Sequence, residues 1–228
     1  MGINDGLVGY WQFDERDGST VLDRSGNNNH GLLINGTRSD GKYGKAVELS
    51  GSDDSHISIP GSLSLNSLTD QITVTAWVFP SVAPSGFKVI VSRQIGTVLH
   101  PDQFYLGFGP ENGRMHYKWH LGTDDNGTLR EGDIYSGIPD VNRWIHMAGT
   151  YDGSMMRLYV DGVEIDNQPL TGSIRVDDNP VTIGGEENGA EPQVVDGEFE
   201  GLIDEVRIYN RALDASEIRE VYNLDSDE

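Results

Sequence analysis

Short apolar runs broken every few residues by Gly, Asn, Asp and Ser clusters leave this chain room for strands and almost none for helix. Two of the breaks are sharp. Tyr151-Asp152-Gly153-Ser154 and Val160-Asp161-Gly162-Val163 set Asp-Gly between apolar runs, and Asp-Gly suits the positive-φ positions of a tight hairpin turn. Together they predict a meander of three consecutive strands. The other strand candidates lie near Val8–Phe13, Gly31–Ile34, Ala46–Leu49, His56–Ile59, Thr73–Phe79, Lys88–Ser92, Phe104–Phe108, Met115–Leu121, Val181–Gly184 and Gly201–Tyr209. With Trp144–Tyr151, Met156–Val160 and Val163–Asp166 this makes about thirteen short strands, which predicts an all-β, two-sheet antiparallel sandwich of jelly-roll type.

One helical segment stands out, at the end. Asp214 is placed to cap it and Glu217 follows three residues later, an Asp-headed capping box. Ile218, Val221 and Tyr222 then line one face at helical spacing. Thr123–Pro139 and Glu186–Gly197, rich in Gly and acidic residues, read as long loops. No repeat or compositional break divides the chain, so we expect one domain over residues 1–224 and an acidic tail at Asp225–Glu228. No basic segment followed by an apolar stretch opens the sequence, so no signal peptide is read there. The chain lacks Cys, which excludes disulfides, thiolate metal sites and thiol catalysis.

Charge narrows the partners. The chain carries 16 Lys plus Arg against 37 Asp plus Glu, a net charge of −21. Phosphate-rich nucleic acid and anionic membrane surfaces are therefore poor partners. Only four residues are Lys while 23 are Asp, the composition of a strongly hydrated acidic surface.

Chemistry-bearing motifs are mostly missing. No Ser sits in a G-x-S-x-G elbow, no H-E-x-x-H helix is present, and no Gly-rich loop opens a helix after a strand. Glu164 with Asp166 and Glu198 with Glu200 have the spacing of carboxylates on one strand face, as a glycosidase pair requires. Both pairs border turns or acidic loops, where a solvated face is the ordinary outcome. His116 and His120 point to the same side of their strand. The oxygen-rich loop from Asp23 to Gly31 has the composition of a hard-cation loop without the EF-hand pattern, and neither does Asp124-Asp125-Asn126-Gly127 match it.

Aromatic residues divide by context. Trp11, Trp77 and Trp144 lie in apolar strands and read as core. Tyr105, Tyr117, Trp119 and Tyr135 lie in polar strands and loops near Arg93, Arg114, His116 and His120. Aromatic rings stack on sugar faces while such polar side chains bond hydroxyls, so these eight residues are the ligand-binding candidates.

Several stretches carry a family resemblance. They include Gly6-Leu7-Val8-Gly9-Tyr10-Trp11-Gln12-Phe13-Asp14, Asp23 through Gly31, Thr73-Val74-Thr75-Ala76-Trp77-Val78 and Arg157-Leu158-Tyr159-Val160-Asp161-Gly162. The most distinctive is Gly201-Leu202-Ile203-Asp204-Glu205-Val206-Arg207-Ile208-Tyr209-Asn210-Arg211-Ala212-Leu213. Together they resemble the laminin-G-like jelly roll of the concanavalin A-like lectin/glucanase superfamily, nearly end to end, with Gly96–Asp140 departing from the pattern. The resemblance implies a structural calcium ion near the amino-terminal loop. By position it would draw on Asp23, Asn28, Gly51 and Asp204, although Asn28 stands where Gly is common. It also implies an extracellular or cell-surface module fused to enzyme or adhesin domains. The E-x-D-x-x-E strand of the superfamily's glycosidases is absent, as are the R-x-E-x-R and Q-[IV]-H strands of its alginate lyases. The expected function is thus a non-catalytic, monomeric module that binds an extracellular polysaccharide. The alternatives are a structural or protein-contacting domain without a sugar site, and a lyase or hydrolase with an unfamiliar site.

Overall fold

The computed structural model describes residues 2–96, 102–187 and 195–224. His100, residues 188–194 of the expected Glu186–Gly197 loop and the tail Asp225–Glu228 lie outside the described residues. The described chain forms nineteen strands: β1 (Leu7–Trp11), β2 (Thr20–Val21), β3 (Gly31–Ile34), β4 (Thr37–Asp40), β5 (Lys45–Ser50), β6 (His56–Ile59), β7 (Ile72–Pro80), β8 (Lys88–Gln94), β9 (Asp102–Glu111), β10 (Arg114–Asp125), β11 (Thr128–Ser136), β12 (Ile145–Tyr151), β13 (Met155–Val160), β14 (Val163–Pro169), β15 (Ser173–Ile174), β16 (Val181–Ile183), β17 (Glu186–Glu187), β18 (Val195–Asp196) and β19 (Glu200–Tyr209). One helix, α1 (Ala215–Asn223), follows.

Two antiparallel sheets stack. The first runs β14-β13-β12-β7-β19-β5-β4, with β1 beside β19; the second runs β11-β10-β9-β8-β16-β6-β3-β2, with β15 beside β10. Strand alternation sends every second side chain inward. Val74, Ala76 and Val78 of β7, Met147 of β12 and Ile203 and Ile208 of β19 meet Phe104, Leu106 and Phe108 of β9 and Trp119 and Leu121 of β10 in one core. The two-sheet sandwich with a short carboxy-terminal helix is the architecture the periodicity predicts.

The Asp-Gly meander forms as expected, β12-β13-β14. Thr123–Pro139, expected as a loop, instead contains the end of β10 and all of β11, paired in unbroken register from Tyr117↔Ser136 to Asp125↔Thr128. Asn126 and Gly127 join them at φ 54 and 86, the left-handed pair that turns a two-residue hairpin.

The outer face of the first sheet is partly covered. Ile218 and Val221 of α1 pack with Leu213 on Ala148, Tyr159 and Tyr209. The helix begins with the full capping box: the Asp214 side chain accepts from the N–H of Ser216 and Glu217, and Glu217 accepts from the Asp214 N–H. Among the described residues, the outer face of the second sheet carries polar and aromatic side chains and no helix.

Candidate ligand-binding site

Pairing register lines up polar side chains straight across the outer face of the second sheet. Asp133 of β11 stands opposite His120 of β10, His120 opposite Tyr105 of β9, and Tyr105 opposite Ser92 of β8. Ser92 stands opposite Thr182 of β16, and Thr182 opposite Ser58 of β6. Six strands at about 4.8 Å spacing give this belt a length of roughly 24 Å.

The belt is internally bonded at intervals. Nδ1 of His120 lies 3.0 Å from Oδ1 of Asp133, Ser92 and Thr182 hydroxyls lie 2.9 Å apart, and Ser58 donates to Oε2 of Glu187 at 3.0 Å. Beyond Ser58, Nε2 of His56 lies 2.7 Å from Oε1 of Glu187. Burial pushes the His56 imidazole down, and its contacts with Glu187 and the Asp54 carbonyl outweigh this and leave it raised.

An aromatic cage flanks the belt. Nζ of Lys118 sits 4.7 Å from the centre of the Phe87 ring, 5.0 Å from Tyr105 and 5.1 Å from Tyr135, and 3.2 Å from Asp133. Phe87 remains 47% exposed, so its ring is open to a ligand. Gly107 and Gly109 let these rings approach the strand, since a Cβ at Gly109 would crowd Tyr135, Phe87 and Lys118.

Beside the belt several buried polar atoms lack a hydrogen-bond partner: Nε2 of His120, Oε1 of Gln94, Oε1 of Glu186, and Nε and Nη2 of Arg175. Arg175 lies against Gly122, whose missing side chain makes room for the guanidinium. Unpaired buried polar groups are costly, and others lie away from this face, at Thr75, His146, Thr150 and Tyr209 of the first sheet.

The expected ligand residues divide between the two faces of their strands. Tyr105, Tyr135, His116 and His120 share the outer face, with His116 bonded through Nδ1 to the Gly137 carbonyl at 2.9 Å. Trp119 and Tyr117, expected as stacking surfaces, point inward instead. Trp119 is wholly buried, lies on Gly149 and donates from Nε1 to the Thr150 carbonyl; Tyr117 packs on Phe108. Their odd positions in β10 fix this, because Lys118 and His120 occupy the even, outward ones. Arg93 is also removed from the ligand set. Its buried guanidinium donates to the carbonyls of Leu65, Asp177 and Asn179 and to Gln103 and Asn66, tying loops together. Arg114 is exposed at the start of β10. Of the pairs Glu164–Asp166 and Glu198–Glu200, Glu164 and Asp166 accept from Asn167 on the exposed strand β14, and Glu198 accepts from the Ser55 N–H. The carboxyls brought together are Asp102 and Glu186, from strands far apart in sequence. Sequence reading missed these two, and also Phe87 and Lys118. For Lys118 the alternation of His116 and His120 held the clue.

The Asp23 and Asp204 carboxylates, expected as calcium ligands, each accept backbone N–H groups. The Asp23 carboxylate accepts four hydrogen bonds, from the N–H of Tyr10, Ser25 and Asn29 and the Ser25 hydroxyl. Those donors occupy the lone pairs a cation needs. Asn28 is exposed at φ 59 and Gly51 sits at φ 71, with Glu200 where its Cβ would be, so both positions answer backbone demands. No group of three or more carboxylate or imidazole side chains converges among the described residues. Asp204, on β19, is wholly buried. Burial pushes its carboxyl up to about 8 against the N–H groups of Tyr43 and Glu205, and the nearby charges of Glu205 and Asp14 add to the rise.

Domain 4 of AbnA, an extracellular arabinanase from Geobacillus stearothermophilus in complex with arabinotriose, matches with a TM-score of 0.69 and 22% identity, over 95% of this chain and 98% of that one. The binding domain of Paraclostridial Mosquitocidal Protein 1 matches with a TM-score of 0.70 and 20% identity, over 97% of this chain and 53% of that one. Trypanosoma rangeli sialidase matches with a TM-score of 0.66 and 20% identity, over 96% of this chain and 32% of that one. At these identities the likeness is one of fold. In sequence, the chain is 25% identical over 170 residues to the adhesion G-protein coupled receptor V1 of Danio rerio, covering 73% of this chain and 3% of the receptor's length. Residues 50–219 match the Laminin_G_3 family model, and the chain belongs to this family of the concanavalin A-like lectin/glucanases superfamily.

Proposed function

We propose that this domain is a non-catalytic carbohydrate-binding module of a larger secreted or cell-surface protein, and that it holds an extracellular polysaccharide on the outer face of its second sheet. One observation carries the reading: the polar belt from Asp133 to Ser58, flanked by the exposed Phe87 ring and lined by unpartnered buried polar atoms. A sugar chain laid across the strands stacks on Phe87 and Tyr135 and bonds its hydroxyls to His120, Gln94 and Glu186. Nδ1 of His120 faces Asp133, which leaves Nε2 as the acceptor. The arabinanase domain with its arabinotriose supports a sugar ligand, and the adhesion receptor supports an extracellular setting. A structural cation, in this reading, belongs at Asp204 with Asp14 and not in the Asp23 loop.

The test is affinity electrophoresis and calorimetry across a polysaccharide panel, with the native domain and Phe87→Ala. Binding that Phe87→Ala weakens supports the reading. Silence across the panel overturns it in favour of a protein-contacting domain, and release of sugar ends or unsaturated products would overturn the non-catalytic part.

A further inference from the structure

Beneath the last turn of α1 three rings close on one another. The centroids lie 5.3 Å apart for His146 and Trp77, 5.4 Å for Trp77 and Tyr222, and 5.9 Å for His146 and Tyr222. Trp77 and Tyr222 stack, and His146 meets both edge to face. His146 is wholly buried, and among the described residues neither of its ring nitrogens has a hydrogen-bond partner. A charge in this seat would lack both water and an acceptor, so the docked imidazole is neutral. Tyr222 covers the seat. Gly162, at φ 74 in the β13–β14 turn, makes room for it, since a Cβ there would lie 3.2 Å from its ring.

The groups around His146 do not stabilise a proton on it. Arg207 of β19 acts on it as a like charge and is itself paired with Glu205 at 2.6 Å. Nζ of Lys42 lies 4.4 Å from the centre of the Trp77 ring. Asp161, in the β13–β14 turn, accepts the His146 backbone N–H on one oxygen and Arg143 on the other. Asp204, opposite Trp77 in the next ladder, is neutral below about 8. Burial, with Arg207 adding to it, pushes the His146 imidazole down to about 3.

Of the elements that enclose the seat, α1 is the one able to yield. Strands β7, β12 and β19 are bonded on both sides. The helix has nine residues, a length that is marginal without packing, and it rests on the sheet through Leu213, Ile218 and Val221.

We propose that His146 and Tyr222 form an acid-sensitive latch: the last turn of α1 docks over the neutral imidazole and lifts from the first sheet when His146 takes a proton. In the lifted form the imidazole is hydrated and titrates near its ordinary value of 6.5. That form binds more protons than the docked one, so docking weakens as pH falls from about 6.5 towards 3. Asp214 and Glu217 are held below the ordinary carboxylate range by their bonds at the start of the helix. The capping box therefore stays ionised through the upper part of that window, and the release begins at the Tyr222 end.

The experiment is hydrogen exchange of the native domain at about pH 7 and about pH 4.5, with chelator present and intrinsic rates corrected, beside an NMR titration of the His146 ring. Protection of the amides of residues 219–223 should fall at least tenfold at the lower pH, while the amides of β7 keep theirs. The native His146 ring should still be neutral at about pH 6. His146→Phe, which keeps a ring in the seat and removes the charge, should give α1 the same protection at both pH values. Tyr222→Ala, which uncovers the seat, should move the His146 titration up towards 6.5 in a domain whose sheets remain protected, and it serves as the test should His146→Phe fail to fold. Equal protection of native α1 at both pH values overturns the inference, as does an equal acid loss in His146→Phe. A His146 ring that titrates near 6.5 beneath a protected helix overturns it, and so does a titration that Tyr222→Ala leaves unmoved.

Discussion

The Asp133 carboxylate stands directly across the β10–β11 ladder from His120 and holds two cationic-type groups at once, Nδ1 of His120 at 3.0 Å and Nζ of Lys118 at 3.2 Å. Partial burial pushes the Asp133 carboxyl up, but the bonds and charges of His120 and Lys118 outweigh it and hold it at about 2. A carboxyl depressed below its unfolded value stabilises the fold above that value and loses the contribution as pH falls through the folded one. Denaturation midpoints should therefore drop between about pH 4 and pH 2 in the native domain, and the drop should be smaller in Asp133→Asn. An equal acid slope in both would remove Asp133 from the account. In glycan binding the same variant should cost several-fold at neutral pH, because His120 loses the partner that fixes its tautomer.

Trp119 and Phe87 make a matched contrast, one ring wholly buried and the other 47% exposed. Trp119→Ala should cost about 3–5 kcal/mol of stability, the usual range for emptying a buried aromatic site. Gly149→Ala should also destabilise, by about 1–3 kcal/mol, because its methyl would strike the Trp119 ring. Phe87→Ala should leave the urea midpoint nearly unchanged and raise the glycan Kd roughly tenfold, as loss of a contact worth about 1–2 kcal/mol would. Unfolding by Phe87→Ala, or a selective binding loss in Trp119→Ala, would reverse the two roles.

Alternation of apolar residues made the two sheets legible, and the Asp-Gly turns made β12, β13 and β14 legible down to their hairpins. The same rule went unread where the outward face is densely charged. In β11 only Gly132 and Ile134 are buried, so the apolar signal reduces to one side chain, and the Asn126-Gly127 turn was the remaining clue. Parity would have parted Tyr117 and Trp119 from His116, Lys118 and His120, since neighbours in a strand face opposite ways. Two features lay beyond sequence reading. The Asp23 loop has the oxygens of a cation site, but its donors are backbone N–H groups that no composition displays. Asp102 and Glu186 meet only because β17 passes close to β8, a tertiary fact.

The α1 cap offers a small, clean perturbation. The Asp214 side chain accepts the N–H of Ser216 at 2.8 Å and of Glu217 at 3.0 Å. Asp214→Ala should cost about 0.5–2 kcal/mol, the range for losing an N-cap acceptor. Because α1 packs on the outer face of the first sheet, glycan affinity should not change. A binding defect in this variant would mean that the two faces are coupled.

Asp204 is the residue through which pH and a cation would act on the fold together. Its carboxyl is wholly buried and pushed up to about 8, whereas in the unfolded chain it ionises near the ordinary value of 3.8. Folding then takes up a proton at intermediate pH, so its contribution to stability falls as pH rises from about 4 to about 8. A divalent cation held by Asp204 and Asp14 would favour the ionised form and remove that loss. We therefore expect chelated protein to melt progressively lower as pH rises across that window, and calcium to raise the midpoint most at the upper end. Asp204→Asn should flatten the pH dependence and abolish the calcium shift. Asp23→Asn should destabilise the domain by disturbing four hydrogen bonds and yet keep the calcium shift. Loss of the calcium shift in Asp23→Asn but not in Asp204→Asn would return the cation to the amino-terminal loop. A native domain indifferent to calcium at every pH would leave Asp204 as a buried neutral acid, bonded by the N–H groups of Tyr43 and Glu205.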